Sequence, residues 1–293
     1  MAGPQRMEIR ELRENELDLA VLPCVDPGFR RTLKQGMVLR KEFVKKMMRM
    51  RLSMLVALED GVKKEKMDYP GVGKVRTKDL SLQGKIVAGL IEYVPIEKTS
   101  FPVEGKNLAF IDCIWVIPPF WRKKVATNLM KNFFEKTHEQ NFSGAAVTAY
   151  QKESWWGFFD YMPSWFFQKF GFRQVERNGN SILMFKNYKD AQSPKFILYQ
   201  PKSTPKPKQK SERTKAELFW SGQCPYSWWV KKLAEKEFHK ISNIELNFVN
   251  TDDRTTVKEF GINFGLTING KIIYNRMPSW DEVRKALESV ASL

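Results

Sequence analysis

From residue 193 to residue 215 the chain reads SPKFILYQPKSTPKPKQKSERTK, and after Tyr199 every position is Pro, Lys, Ser, Gln or another polar residue. Such a stretch cannot bury enough apolar surface to repay its ordering entropy, so it reads as an extended, mobile spacer. One continuous core is therefore excluded, and the 293 residues divide into a larger part, 1–192, and a smaller one, 216–293. With 42% hydrophobic and 13% aromatic residues, both parts can bury a core.

Charge follows the same division. Residues 1–192 carry 32 basic and 22 acidic side chains, 193–215 carry 7 and 1, and 216–293 carry 10 and 10. The formal net charge of +16 points to anionic ligands, but its uneven spread fits solvated lysine better than a nucleic-acid surface, so nucleic acid is disfavoured as a partner. No run approaches the ~18 apolar residues of a membrane span. The opening MAGPQRMEIRELREN has charges where a signal peptide needs an apolar centre, so a cytoplasmic protein without membrane contact is expected. Cys24, Cys113 and Cys224 are too few and too scattered for a disulfide framework or a zinc site, and no metal is expected.

Periodicity in the larger part gives a strand at MEIREL, helices at NELDLAVLP and from about Phe29 to Met50, and strands at LSMLVALED and KIVAGLIEYVPI. The Gly- and Lys-rich segment between those two strands, residues 61–84, reads as a protruding loop. NLAFIDCIWVI is a long strand ended by Pro118 and Pro119. An amphipathic helix, KKVATNLMKNFFEKTHEQ, follows it, and then a strand, GAAVTAY. SWFFQKF closes a helix that Gly171 terminates, and FRQVE and SILMFKNY meet at a hairpin turn.

Arg122, Lys123 and Lys124 stand where the long amphipathic helix begins. A helix N-terminus is already electropositive, so each cation there costs about 0.3–1 kcal/mol at an exposed site; a bound phosphate would reverse the sign.

This order of elements, with IDCIWVIPPFWRKKVATNLMKNFF and SWFFQKFGF at its centre, resembles the GNAT acyltransferases over about residues 7–190. The resemblance implies an α+β fold on a mixed sheet, acetyl-coenzyme A as acyl donor, and a small-molecule or protein amine as acceptor. It assigns the pantetheine arm and thioester carbonyl to the amides of Ile114, Trp115 and Val116. It assigns the pyrophosphate to the turn Arg122, Lys123, Lys124, Val125, Ala126 and Thr127. Asp112 and Glu92 are the carboxylates on the two central strands that can take the acceptor's proton. Aligning Arg122 with the arginine of the family's Arg/Gln-x-x-Gly-x-Gly/Ala loop puts Val125 and Thr127 at the glycine positions, which predicts a wider loop or contacts made by side chains.

The family's tyrosine acid is replaced by Phe167, leaving water, Tyr161, Tyr150 or no group at all to protonate the thiolate, which is a tolerable leaving group near neutral pH. The aromatic stretch 151–167 offers Trp155, Trp156, Phe159 and Phe167 as walls of an acceptor pocket; the competing reading is a packed core cluster, and both stay open. A homodimer is also left open.

In the smaller part, strand, helix, strand, helix, hairpin and helix follow one another, with Cys224-Pro-Tyr-Ser at the start of the first helix, Thr251 as cap of the second and Ser279-Trp-Asp-Glu282 as a capping box for the last. This resembles the thioredoxin and glutaredoxin folds, and a domain of the YoaP type behind some bacterial acetyltransferases. A helix N-terminus favours a Cys224 thiolate, but Ser227 takes the place of a second cysteine, so dithiol exchange within the motif is excluded. Two other functions compete: a GNAT fold serving as ligand sensor or adaptor, and a monothiol redox protein centred on Cys224.

Overall fold

The computed structural model describes residues 7–60, 66–70, 72–151, 154–155, 159–201, 213–238, 241 and 243–291. The chain forms two compact units, Met1–Lys98 with Asn107–Val147 and Lys186–Ala191, and Thr99–Lys106 with Thr148–Phe185 and Gln192–Leu293. Among the described residues no helix is long and apolar enough to cross a membrane.

The first part of the chain supplies β1 (Met7–Glu11), α1 (Leu17–Val21), α2 (Lys34–Arg49), β2 (Ser53–Asp60), β3 (Lys85–Pro95), β4 (Leu108–Val116), α3 (Val125–Glu139) and β5 (Gly144–Tyr150). It continues through α4 (Ser164–Gln168), β6 (Arg173–Asn178) and β7 (Ser181–Asn187). The hydrogen-bonded strand order is β1-β2-β3-β4-β5-β7-β6. Strands β1 to β4 pair antiparallel, and β4 and β5, connected through α3, pair parallel.

Alternation fixes the faces of the first unit. Met54, Val56, Leu90 and Val94 pack with Phe43, Val44 and Met47 of α2, while Tyr93 on the other face meets Phe133 of α3 edge-on, ring centroids 5.0 Å apart. The helix expected from about Phe29 starts at Lys34, because Pro27–Phe29 forms a 3-10 turn instead.

Segment 61–84 departs from expectation. Lys66–Tyr69 and Gly73–Arg76 form an antiparallel hairpin that returns through a 3-10 turn to Ser81–Leu82, paired with β3. Tyr69, Val75, Thr77 and Leu80 are buried, the Tyr69 hydroxyl donates to Asp26, and Arg30 donates to the carbonyls of Asp79 and of Leu22 (3.3 Å). Four inward side chains spread among Gly and Lys anchor a packed element where the composition suggested a protruding loop.

In the second unit, residues 193–200 are not a free spacer. Lys195–Phe196 pairs antiparallel with Val103–Glu104, Ile197 N–H donates to Pro102 (2.8 Å) and Gln200 N–H to Phe260 (3.2 Å). Gly261, in the left-handed region at φ +67°, lies so close that a Cβ there would stand 2.2 Å from the Leu198 carbonyl oxygen. Short apolar stretches such as FILY supply the anchors that the surrounding Pro and Lys conceal; residues 202–212 lie outside the described part.

The C-terminal elements are β8 (Thr214–Trp220), α5 (Pro225–Phe238), β9 (Ile244–Asn250), α6 (Arg254–Phe260), β10 (Gly265–Ile268), β11 (Lys271–Tyr274) and α7 (Trp280–Ala291). Their sheet has the order β9-β8-β10-β11. β8 and β9 are parallel, β10 is antiparallel to β8, and β11 to β10. Leu218, Val230, Phe238, Leu266, Val283 and Leu287 form the core. The α6 cap differs from expectation: Asp253 is the N-cap residue and makes no side-chain cap bond, while the Thr251 hydroxyl bonds to Trp220 and Asn263 carbonyls (3.0 and 2.6 Å). Arg254, at the start of α6, donates to the carbonyls of Thr99 (3.1 Å), Phe101 (2.5 Å) and Val103.

Candidate functional site

The site is built on β4. Along its β3 edge Glu92 pairs with Cys113 but the next residue, Tyr93, pairs with Ile111, so Asp112 is skipped and forms a bulge. Along its other edge the ladder with β5 covers Leu108–Ile111 and Gly144–Val147. Asp112, Ile114, Trp115 and Val116 therefore extend past the last residue paired to β5. Bulge and ladder end coincide, which exposes one edge of backbone amides to something other than a strand. On β3, Gly89 lies opposite Val116, and a Cβ there would come within 2.6 Å of the Trp115 carbonyl oxygen, so the strands approach in a way only glycine permits. Asp112 is fully buried.

Beyond β4, Pro118–Phe120 makes a 3-10 turn with Phe120 in the core. The Trp121 indole N–H donates back to the Val116 carbonyl (2.7 Å), tying the turn to the strand end. Lys123 Nζ lies 4.6 Å from the centre of the Phe120 ring. Arg122, Lys123 and Lys124 are exposed. The helix α3 that follows has no acidic residue in its first turn and no side-chain cap bond, so its own first turn offers the unpaired N–H groups no carboxylate, and three cations precede them.

The register of this turn differs from the sequence alignment by one residue. Left-handed φ values of 61° fall on Arg122 and Lys124. Val125 is instead the first helical residue, 1% exposed, and Thr127 is also helical. Counted from Trp121, the x-x-Gly-x-Gly/Ala spacing puts Lys124 at the first glycine position and Ala126 at the second. The conformational demand for glycine thus rests on a lysine, and the β-branched residues obstruct nothing. A left-handed non-glycine residue costs about 1–2 kcal/mol, strain of the kind found at ligand sites.

Glu92 is tied to a different task from the one expected. It is 0% exposed, and Arg40 of α2, 1% exposed, donates to both its oxygens, Nη1 to Oε1 at 3.3 Å and Nη2 to Oε2 at 2.6 Å. Burial disfavours the charged guanidinium, but the Glu92 carboxylate outweighs that and shifts the Arg40 pKa upward overall. Both Glu92 oxygens are taken up by the buried Arg40 fork, so Glu92 is withdrawn as base and Asp112 is left on the central strands. Sequence reasoning missed Arg40. Its signal was present: Gly36, Arg40, Phe43, Val44 and Met47 fall on the buried stripe of α2, where only the arginine is charged.

In the second unit the rings of Tyr150 and Tyr161 lie 6.0 Å apart, and Tyr150 N–H donates to Met162 (3.1 Å). Phe167 is fully buried, edge-on to Phe166 and Phe172 (centroids 5.3 and 5.8 Å), which makes it core and not a pocket wall. Ser154–Trp155 pairs with Phe159–Asp160; Trp156 and the side chains of Trp155 and Phe159 lie outside the described residues.

Cys224 is half-buried immediately before α5. Ser227, in the place of a second cysteine, accepts the Ser221 N–H (3.1 Å), and Asp252 accepts from the Ser221 hydroxyl and the Gly222 N–H, both at 2.7 Å. Among the described residues no cluster of His, Cys, Asp and Glu could hold a metal.

Residues 68–159 match the model of the acetyltransferase (GNAT) family. The match runs through the 66–76 hairpin, β3, β4, α3 and β5. The fold is similar to the PaiA N-acetyltransferase of Thermoplasma acidophilum in complex with coenzyme A (16% identity over 63% of this chain and 100% of that one, TM-score 0.41). It is also similar to a GNAT family acetyltransferase from Brucella melitensis in complex with acetyl-CoA (13%, 64% and 92%, TM-score 0.38). A third similar structure is YhbS of Escherichia coli in complex with CoA (12%, 64% and 84%, TM-score 0.40). No curated protein sequence matches the chain.

Proposed function

We propose that the protein is a coenzyme A-dependent N-acyltransferase that moves an acetyl group from acetyl-CoA to an amine of a small molecule or a protein. The observation that carries this reading is the succession, from the middle of β4 to the helix after it, of a bulge, a ladder end and an uncapped helix start preceded by Arg122, Lys123 and Lys124. The amides at the start of α3 and the three cations receive the pyrophosphate, and strain stored at Arg122 and Lys124 is offset by that contact.

In the transfer, amides of the Ile114–Val116 stretch polarise the thioester carbonyl. Asp112 accepts the proton of the attacking amine, the C–S bond breaks as the C–N bond forms, and the leaving thiolate takes a proton from water. For residues 214–291 a thioredoxin-like fold is supported by the β9-β8-β10-β11 order and strand directions. Within it, Ser227 acts in the structure of the turn, and Cys224 is dispensable for acyl transfer.

Thiol release from acetyl-CoA, measured over lysine, spermidine and peptides with a free N-terminus, tests the reading. Turnover on at least one amine, reduced about 100-fold by Asp112→Asn, supports it. Binding of acetyl-CoA without turnover on any amine favours a ligand sensor instead.

A further inference from the structure

Resting on the acyltransferase reading, we propose that Arg40 is a positioning residue for the transfer, holding the β4 bulge in place through Glu92. Arg40 and Glu92 form a two-pronged ion pair inside the apolar layer between α2 and the sheet. On that face of β3, Glu92 alternates with Leu90 and Val94, both fully buried beside Phe43 and Val44.

Stability does not account for such a pair. Each charge gives up its hydration on burial, and apolar residues of similar volume often serve a core equally well or better. What the pair adds is a fixed geometry. A guanidinium fork on both oxygens leaves the Glu92 side chain one orientation.

The location gives that geometry a use. Glu92 is the last β3 residue in register before the bulge: its partner is Cys113, and the next β3 residue is already opposite Ile111. A side chain anchored to α2 at this step fixes where the extra residue falls, and the extra residue is Asp112. Shifted by one residue, the bulge would displace both the Asp112 carboxylate and the amides of Ile114–Val116, leaving the helix start that receives the phosphates untouched. Cys113, on the Glu92 face, and Cys24 also lie within electrostatic reach of the guanidinium, which places it where α2, β3 and β4 meet.

The pair therefore acts mainly on the chemical step and not on recognition of the coenzyme's phosphates. In the full-length chain, Arg40→Met combined with Glu92→Leu should fold with a Tm equal to or above the wild type. It should keep KM for acetyl-CoA within about threefold and lose kcat by at least about 30-fold, as expected for misplacement of reacting groups. Arg40→Lys, which keeps the charge and loses the fork, should lower kcat by about tenfold at unchanged KM, and so decides the matter if the double variant does not fold. The pair is merely structural, and the inference wrong, if the folded double variant, or Arg40→Lys in its absence, keeps kcat within threefold. Failure of the wild type to turn over any amine removes the acyltransferase reading itself, and the inference with it.

Discussion

Lys124 and Val125 stand on opposite sides of a conformational boundary: Lys124 is left-handed at φ 61°, and Val125, the first residue of α3, is buried to 1% exposure. The two positions should answer glycine oppositely. Lys124→Gly relieves up to about 1–2 kcal/mol of backbone strain, partly offset by the chain entropy of glycine, and leaves the protein as stable or slightly more so. Val125→Gly removes a core side chain and should cost about 2–4 kcal/mol. Urea unfolding of both variants checks the register; equal destabilisation would restore the glycine position to Val125.

Phe167→Tyr tests whether the missing acid can be restored. The ring is sealed between Phe166 and Phe172, so a hydroxyl there is buried and should cost about 1–3 kcal/mol without raising kcat. An increase in kcat would show that this position reaches the leaving thiol.

Ser227 carries the Cys224 turn. Ser227→Ala leaves the buried Ser221 N–H without its acceptor and should lower stability by about 1–2 kcal/mol. Cys224→Ser should change neither stability nor thiol release from acetyl-CoA by more than about twofold, the second outcome being the one a redox-centred protein would violate.

The start of α7 predicts a pH dependence. Ser279 N–H donates to Glu282 (2.8 Å), Glu282 N–H donates to Ser279 Oγ (3.3 Å), and Arg276 grips the same carboxylate (2.7 Å). Burial works against the Glu282 charge, but the Arg276 and Ser279 hydrogen bonds prevail and leave its pKa below the ordinary carboxylate value of 4.5. A lowered folded pKa means stability that is present above that value and lost as pH falls through the folded one. Glu282→Gln should thus cost about 1 kcal/mol at pH 7, with the difference from wild type shrinking below pH 4.5. A difference constant from pH 7 to pH 3 would rule out the charge as its source.

Much of this was legible from the sequence, and the misses share a cause. Strands β2 to β5 and β7 announced themselves through apolar runs, β1 through alternation, β6 through the hairpin turn that follows it, and the start of α7 through the Ser279-to-Glu282 spacing, because all of these signals are local. The bulge at Asp112, the left-handed turn at Lys124 and the Arg40 to Glu92 pair depend on residues far apart in the chain or on backbone angles that side-chain identity does not dictate. The 61–84 hairpin and the anchored 193–200 segment were hidden by composition, since a few inward side chains outweigh many solvated lysines.

Acyl transfer from acetyl-CoA requires phosphate recognition at the start of α3. Calorimetric titration of acetyl-CoA into the full-length chain should show saturable binding at one site, weakened at least about tenfold, or 1.4 kcal/mol, by Arg122→Glu, while the free variant melts no lower than the wild type. Absence of saturable heat at millimolar acetyl-CoA, or equal affinity in the charge-reversed variant, would contradict it.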